Sequence, residues 1–416
     1  MIYVFEHINV RMTGENSPDT ASIHSKRLSG MTRRRLMKVL SASGFSGFAV
    51  SHLTVEDVRA AASDQVPIVY AIAPDPDEEP SEEGASMTER VKNVPADWYD
   101  DLQHALNVHE KAQLGNRPGV VATGVSPGDY GGQNAHIDVS ISQKALQQTD
   151  EGPDHIDDVR GALPETIEGV PVETANTGLP ELNACTDGDC NDTDFGDYVP
   201  PGVECSGDDS GYLTLGPRML DGGGAKYFST NHHAFNDDGK NPYGEKIYHP
   251  AHDDPLGEVT QWDCDQDFVM AGANSDHTIQ TWTGDVECIG DRFMQGQFTK
   301  GGLSDRKAAG KKLHKIGQRT CHTSGLIQNV DGYIGNINDG CSDRYKQVFW
   351  GDEEHAKAGD SGSPTYAPDP ESNDYYLISS LHAGKIPAYL DPSGQGGYAF
   401  GTSAYGIKDK WGFTFG

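Results

Sequence analysis

The spacing of apolar positions divides the chain into stretches of different period. Trp98, Leu102, Ala105, Leu106, His109 and Ala112 recur at steps of three and four, which predicts an amphipathic helix over 96–114, stopped at Gly115. Val120–Val125 is a short apolar run, and Ile137-Asp138-Val139-Ser140-Ile141 alternates between apolar and polar; both read as strands, and Leu163 through Val172 as a further strand entry. Residues 91–175 are therefore expected to form a small α+β domain. From Cys205 onward the pattern becomes one of short strands between Gly, Asp and Pro turns, as at Tyr212–Leu215, Lys226–Ser229, Asp267–Ala271 and Tyr375–Leu381. Many short strands with turn signals between them predict an all-β barrel or sandwich, and 205–416 is long enough for two six-stranded barrels.

Two acidic stretches punctuate this pattern. Residues 63–90 contain Pro74-Asp75-Pro76-Asp77-Glu78-Glu79-Pro80, and 176–204 contain Cys185-Thr186-Asp187-Gly188-Asp189-Cys190. Both are expected as linkers. The oxygen-bearing side chains at 186–194 are spaced differently from a twelve-residue calcium loop, and no Cys-x-x-Cys pair points to zinc, so no metal or cofactor is expected.

Charge narrows the choice of partners. The chain carries 63 Asp and Glu against 32 Lys and Arg, a net −31. A nucleic-acid partner is not expected, because phosphate binding needs a basic surface. The acids run through segments that also read as core, such as 253–291, so the excess predicts a surface adapted to high salt. At molar salt the Debye length is about 3 Å and repulsion between surface carboxylates is screened. The combination resembles secreted proteins of halophilic archaea.

The first 62 residues read as a leader. Thr32-Arg33-Arg34-Arg35-Leu36-Met37-Lys38 precedes a short, mildly apolar stretch from Val39 to Val50, and Ala60-Ala61-Ala62 offers a cleavage site. Paired Arg, two apolar residues and Lys resemble a twin-arginine export signal, and Met31 is an alternative start. The apolar stretch is too short to span a bilayer, so a secreted protein without stable membrane insertion is expected. Seven Cys in an exported chain allow three disulfides; loop size favours Cys264 with Cys288 and Cys321 with Cys341, with Cys185–Cys190 as a further pair.

The chemistry concentrates in three places. Ala358-Gly359-Asp360-Ser361-Gly362-Ser363-Pro364 is a tight Gly-rich turn that can expose a serine hydroxyl and aim backbone N–H groups at one point. Lys226-Tyr227-Phe228-Ser229-Thr230-Asn231-His232-His233 is an apolar strand ending in histidine, and Asp267 directly precedes the apolar Phe268-Val269-Met270-Ala271. A Gly-Asp-Ser-Gly turn alone is as often an ordinary surface turn, and a lone Asp carries no weight in so acidic a chain. Together the three stand in the order His, Asp, Ser.

With those residues in view, 205–416 resembles the trypsin-like serine protease superfamily, in the style of its secreted bacterial and archaeal branches. Ser229-Thr230-Asn231-His232 stands where that family places Thr-Ala-Ala-His, and Ser363 replaces the second Gly of Gly-Asp-Ser-Gly-Gly-Pro. Lys315-Ile316-Gly317 through Thr320, followed by Ser324-Gly325, resembles a strand pair of these branches, and Ala404-Tyr405-Gly406-Ile407 their closing segment. The resemblance implies a chymotrypsin-like double β-barrel preceded by the small α+β domain, itself similar to the one preceding certain archaeal relatives and a candidate pro-region. It implies an endopeptidase acting on polypeptides, with Ser361 as nucleophile, His232 as base, Asp267 as orienting acid, and Gly359 and Ser361 N–H groups as oxyanion hole. The adjacent His233 leaves the base ambiguous by one residue, and His232 fits the register better. Ser380, His382 and Gly384 are expected in the primary specificity pocket, where Ser380-Leu381-His382-Ala383-Gly384 resembles the pocket wall of glutamyl endopeptidases and His382 would favour an acidic residue before the cut. A barrel that binds without turnover, or an esterase on the same site, are the competing expectations.

Overall fold

The computed structural model describes residues 64–416 except 84–85, 132–133, 149–152, 154, 183–189, 191–194, 209–210, 236–240, 251–253, 275, 285, 287–288, 336, 338–340, 342 and 389–396. The leader with its twin-arginine motif lies outside the described residues. So do Cys185 and Cys288, and with them two of the expected disulfide pairs. No helix among the described residues is long and apolar enough to cross a membrane.

The N-terminal part contains β1 (Gln65–Ala73), β2 (Thr88–Pro95), α1 (Ala96–Ala112), β3 (Val120–Ser126), β4 (His136–Ile141), α2 (Gln143–Leu146), α3 (Ile156–Ala162), β5 (Thr166–Ile167), β6 (Val170–Asn176) and β7 (Glu181–Leu182). The three- and four-residue spacing buries Trp98, Leu102, Ala105 and Leu106 on one face of α1 as expected. The helix stops earlier than predicted: Gln113 takes the left-handed conformation, and Gly115 lies in the short 3-10 turn that follows. Residues 65–73, expected within a linker, form a strand because Ile68, Tyr70, Ala71 and Ala73 are all buried, an apolar run that the flanking acids and prolines disguise.

The next strands are β8 (Tyr198–Val199), β9 (Glu204–Gly207), β10 (Tyr212–Thr214), β11 (Met219–Leu220), β12 (Lys226–Thr230), β13 (Lys246–Tyr248), β14 (Gly257–Asp263), β15 (Phe268–Ala273) and β16 (Thr278–Ile279), of which β8 and β16 pair with each other, parallel, as a small separate sheet. Then come β17 (Phe293–Phe298), α4 (Lys300–Ala308), β18 (Lys312–Gly317), β19 (Cys321–Ile334), β20 (Arg344–Trp350), β21 (Pro364–Pro368), β22 (Tyr375–Ile386), β23 (Tyr398–Ser403), α5 (Ala404–Trp411) and β24 (Thr414–Phe415).

The expected all-β class holds for 205–416. One sheet runs β10-β9-β13-β14-β15-β12-β11-β24 over a core that includes Val203, Leu213, Phe228, Ile247, Val259 and Val269. The other closes a ring of six strands, β22-β21-β18-β19-β20-β23 and back to β22. Met219, Phe268, Met270, Ile316, Ile378, Leu381 and Phe415 pack between the two, joining them through one apolar layer.

The N-terminal elements are not a sheet apart. β3 pairs antiparallel with β19, β4 with β3, and β6 runs parallel to β4, so these strands extend the second barrel's sheet; β1 pairs with β17 on the far side. Ala122, Ile334, Phe349, Ala383, Ile386 and Phe400 form the common core of that junction.

The disulfides correct the loop-size expectation. Cys321 pairs with Cys190 and Cys264 with Cys341, at Cα separations of 5.4 and 5.5 Å. Cys321 sits on the β18–β19 turn, where Cys190 N also donates to Gln318 O. The Cys264 turn before β15 meets the segment leading into β20. Short loops failed as a guide because each bridge joins elements that only the tertiary fold brings within the reach of a disulfide.

Candidate active site

β12 and β15 pair antiparallel, with Thr230 opposite Val269, and that register places the end of one strand beside the start of the other. The chain leaves β12 at Asn231 and turns, with Phe235 N donating to His232 O. The turn separates the two histidines. His233 directs Nδ1 to both carboxylate oxygens of Asp267, at 3.0 and 2.8 Å, and its backbone N–H donates to the same carboxylate at 2.9 Å. Its Nε2 lies 2.7 Å from Ser361 Oγ. His232, the residue expected there from the register, is buried elsewhere: it stacks on Trp262 at 4.9 Å, with Nδ1 3.7 Å from Cys341 Sγ. The correction is by one residue, and the cause is local. Strand alternation ends at Thr230, so counting register past it assigns the wrong ring.

Asp267 occupies the turn ahead of β15 in a left-handed conformation, φ 49°, and its N–H donates to Cys264 O. The carboxylate is fully buried. Burial alone pushes its pKa up, but the Arg344 guanidinium, 2.5 Å from Oδ2, and His233 outweigh that and bring it down to about 2. Arg344 is itself fully buried and pairs with Asp267 across the two sheets. Sequence reasoning missed it, because one Arg at the start of a strand carries no local signal.

The serine turn is held from several sides. Gly359 and Gly362 have φ of 95° and 88°, the region that favours glycine. At Gly362 a Cβ would also collide with Thr214 O and Thr230 Oγ1. Gly362 N donates to Asn231 Oδ1 at 2.5 Å, while Asn231 Nδ2 donates to Asp267 O at 2.8 Å, so one amide ties the serine turn to the aspartate turn. Thr214 N donates to Ser361 O, and Thr214 Oγ1 to Gly359 O.

Beneath the turn lies a second buried acid. Asp360 accepts from the backbone N–H of Lys357, Arg319 and Thr320, from Thr320 Oγ1, and from Lys315 Nζ at 2.7 Å. Neither side chain of the Lys315–Asp360 pair has any exposed surface. Burial lowers the Lys315 pKa, and Asp360 opposes the shift. The Lys315–Gly317–Thr320 pattern acquires a physical reason here. Lys and Thr satisfy Asp360, and a Cβ at Gly317 would strike Asp360 and Ser363.

Ser380, His382 and Gly384 lie on β22, beside this turn. Ser380 and His382 are fully buried. His382 N donates to Ser363 O and Gly362 N donates to His382 O, both at 2.9 Å, and its ring meets the Trp350 ring edge-on. Burial first, then the charges of Lys315, His233 and His355, hold His382 well below the ordinary histidine pKa, so the ring is neutral at neutral pH. Among the described residues two groupings have metal-ligand composition. In His232–Cys264–Cys341 the sulfurs are joined in a disulfide, and His136–Asp138–Glu173 forms an ion-paired cluster on β4 and β6.

No family model matches the chain, and no curated protein does. Solved structures do. A Nocardiopsis protease is similar at 13% identity and a TM-score of 0.38, over 52% of this chain and 98% of its own. Protease A of Thermobifida fusca is similar at 15% and 0.37, over 52% and 98%. A glutamic-acid-specific serine protease, described as using a histidine triad in substrate binding, is similar at 18% and 0.36, over 52% of this chain and all of its own.

Proposed function

We propose that the chain is a serine endopeptidase in which Ser361 is the nucleophile, His233 the base and Asp267 the acid that orients it. The observation that carries the reading is the continuous path from Asp267 through His233 Nδ1 and Nε2 to Ser361 Oγ, with 2.8 and 2.7 Å at its two joints. A carboxylate on Nδ1 fixes the tautomer that leaves Nε2 able to accept the hydroxyl proton. Asp267, kept ionised by Arg344, stabilises the imidazolium that forms.

Ser361 Oγ attacks the peptide carbonyl carbon while His233 takes its proton. The N–H groups of Gly359 and Ser361 hold the tetrahedral oxygen, their direction set by the left-handed Gly359. His233 returns the proton to the leaving amine, and the acyl-enzyme is opened by water in the same sequence reversed. The β22 wall at Ser380, His382 and Gly384 borders the residue before the cut. A neutral His382 offers a hydrogen bond to that residue but no charge, which weighs against selection of acidic side chains by an ion pair.

We further read the protein as exported and working at high salt, from the −31 charge and the Arg33-Arg34-Arg35 leader. Two disulfides among the described residues fit an oxidising location. The test is labelling by a fluorophosphonate in molar salt. Wild type and His232→Ala should be labelled, whereas Ser361→Ala and His233→Ala should not. Labelling retained in His233→Ala and lost in His232→Ala would reverse the assignment of the base.

A further inference from the structure

The parallel register of β4 and β6 gathers three ligand-type side chains on one face. Asp138 stands directly opposite Glu173. His136 lies two residues before Asp138 on the same strand, and residues two apart in a strand point to the same side. Two carboxylates facing each other across a strand pair repel, and a cation between them relieves the repulsion. His136 turns Nε2 towards both, 3.5 Å from Asp138 Oδ1 and 3.7 Å from Glu173 Oε2. A charged ring donating to a carboxylate would close to about 2.7–2.9 Å. The wider spacing is that of atoms sharing one metal: bonds of about 2.0–2.2 Å at tetrahedral angles set neighbouring ligand atoms about 3.3–3.6 Å apart.

The ligands are also held from outside. His136 Nδ1 donates to Asn134 O at 3.0 Å, which fixes the tautomer and leaves the Nε2 lone pair turned inward. Asp138 Oδ2 accepts from Asn329 Nδ2 at 2.7 Å, which leaves Oδ1 for the centre. Asn329 comes from β19, two strands away, and reaches Asp138 across β3. Gly124 permits that crossing. It stands opposite Asp138 in the β3–β4 register, and a Cβ there would come within 2.9 Å of Asn329 Cβ. All three ligand side chains are partly exposed and line a cavity of about 730 Å³, shared with Lys307, Lys312 and Tyr398, so water can complete the coordination.

We infer that His136, Asp138 and Glu173 form a binding site for one divalent transition-metal ion, zinc by preference, on the face of β4 and β6. One imidazole and two carboxylates with room for water suit zinc, whereas calcium and magnesium take oxygen ligands. Through Asp138 and Asn329 the ion ties the N-terminal strands to the ring that contains β19, so it stabilises that junction. The inference goes beyond the peptidase reading and does not depend on it. A proton on Nε2, favoured by Asp138, competes for the same lone pair, so binding is measured at mildly alkaline pH.

The experiment is equilibrium dialysis of the full-length chain against micromolar zinc in molar salt, with millimolar calcium present to occupy other surface carboxylates, followed by elemental analysis. His136→Ala should hold one zinc ion fewer than wild type, and Asp138→Asn and Glu173→Gln should bind that ion at least tenfold more weakly. Asn329→Ala, which frees Asp138 to turn, should weaken it about ten- to hundredfold. His322→Ala, which breaks the separate His314–His322 pair, should leave it in place. At a hundredfold excess over Kd, zinc should raise the unfolding temperature of wild type by roughly 4–6 °C, and the rise should be lost in His136→Ala. Each variant is checked for fold by circular dichroism. Glu173 is more than half exposed, so Glu173→Gln keeps its fold and carries the test alone if His136→Ala does not. A wild type that holds no zinc overturns the site. So does a folded His136→Ala or Glu173→Gln with the wild-type zinc count and affinity.

Discussion

Asp267 and Asp360 make an instructive pair. Both are fully buried, both accept backbone N–H bonds, and each has a cation against it, Arg344 at 2.5 Å and Lys315 at 2.7 Å. They differ in what else they touch. Asp267 faces the His233 ring, while Asp360 faces only the backbone of neighbouring loops and Thr320. One buried ion pair is set against an imidazole ring, and the other underlies the turn that carries the serine. In both, burial is an expense offset by the partner, so removing either partner is costly whatever the pair contributes net. The difference is that only Asp267 should matter to the chemistry in a protein that still folds.

The largest expected effect separates the two acids on that basis. Asp267→Asn keeps the shape but offers His233 the wrong hydrogen-bonding pattern, and kcat for a peptide should fall by about ten-thousandfold with little loss of fold. Asp360→Asn should leave Lys315 buried without a counter-charge, so the protein should lose stability and activity together. The measurement is peptide hydrolysis alongside thermal unfolding. A folded Asp360→Asn with the kinetic defect of Asp267→Asn, and no fall in unfolding temperature, would erase the distinction.

The next effect concerns the cations. Lys315→Met and Arg344→Met each leave a buried carboxylate unpaired, and each should cost about 3–5 kcal/mol. They should differ in pH response. With Arg344 in place, Asp267 sits at about 2, below its ordinary 3.8. Its stabilising contribution is therefore complete above about pH 4 and lost as the pH falls from there towards 2, on the order of 2 kcal/mol in all. In Arg344→Met burial is no longer outweighed to the same extent, so Asp267 should protonate at higher pH and the acid limb of the activity profile should move upward. Lys315→Met should leave that limb in place. Rate measurements from pH 3 to pH 8, in molar salt, check both.

How much of this was legible in the sequence depends on whether the signal was local. The helix over 96–112, the strands at 120–126 and 136–141, and the all-β character after residue 205 follow from periodicity, which neighbours in the chain dictate. Asp267 and Ser361 stand out in the sequence through their turns, and the structure sets both against His233. Register counted past Thr230, where the strand ends, points to His232 in place of His233. Arg344 and the two disulfides among the described residues were invisible for a common reason. Each is a contact between elements far apart in the chain, and nothing near either partner announces it. The β1 strand was hidden differently, by charged and proline-rich flanks that dominate composition over so short a run.

Salt should act on the surface more than on these two pairs, which sharpens the contrast between buried and exposed charge. At low ionic strength the net −31 should lower the unfolding temperature and reduce labelling of Ser361, because exposed carboxylates repel over a longer screening length. Asp267–Arg344 and Asp360–Lys315 are shielded from solvent ions already. The destabilisation in dilute buffer should therefore be shared by wild type and Lys315→Met, leaving the gap between them unchanged. Full activity after dialysis into dilute buffer would count against the high-salt reading. A gap that closes at low salt would show that the buried pair is screened like a surface one.

The smallest effect is expected at His382. The ring is buried on β22 beside the serine turn, packed against Trp350, and held neutral by burial and by the charges around it. A protonated ring would attract an acidic side chain, and its preference would strengthen as the pH fell through the ordinary histidine range. A neutral ring gives a preference that is flat across that range. His382→Ala should thus change the rank order of cleaved residues by only a few-fold, since one neutral hydrogen bond is worth about 0.5–1.5 kcal/mol. It should leave the labelling rate of Ser361 close to wild type. The measurement is a peptide library digested at pH 5.5 and pH 8 in molar salt, with cut sites read by mass spectrometry. Cuts concentrated after Glu and Asp at pH 5.5, fading at pH 8 and absent in His382→Ala, would mean that the ring takes up a proton when substrate binds. Buried, uncompensated charge is costly enough that this would require the substrate carboxylate to enter with it.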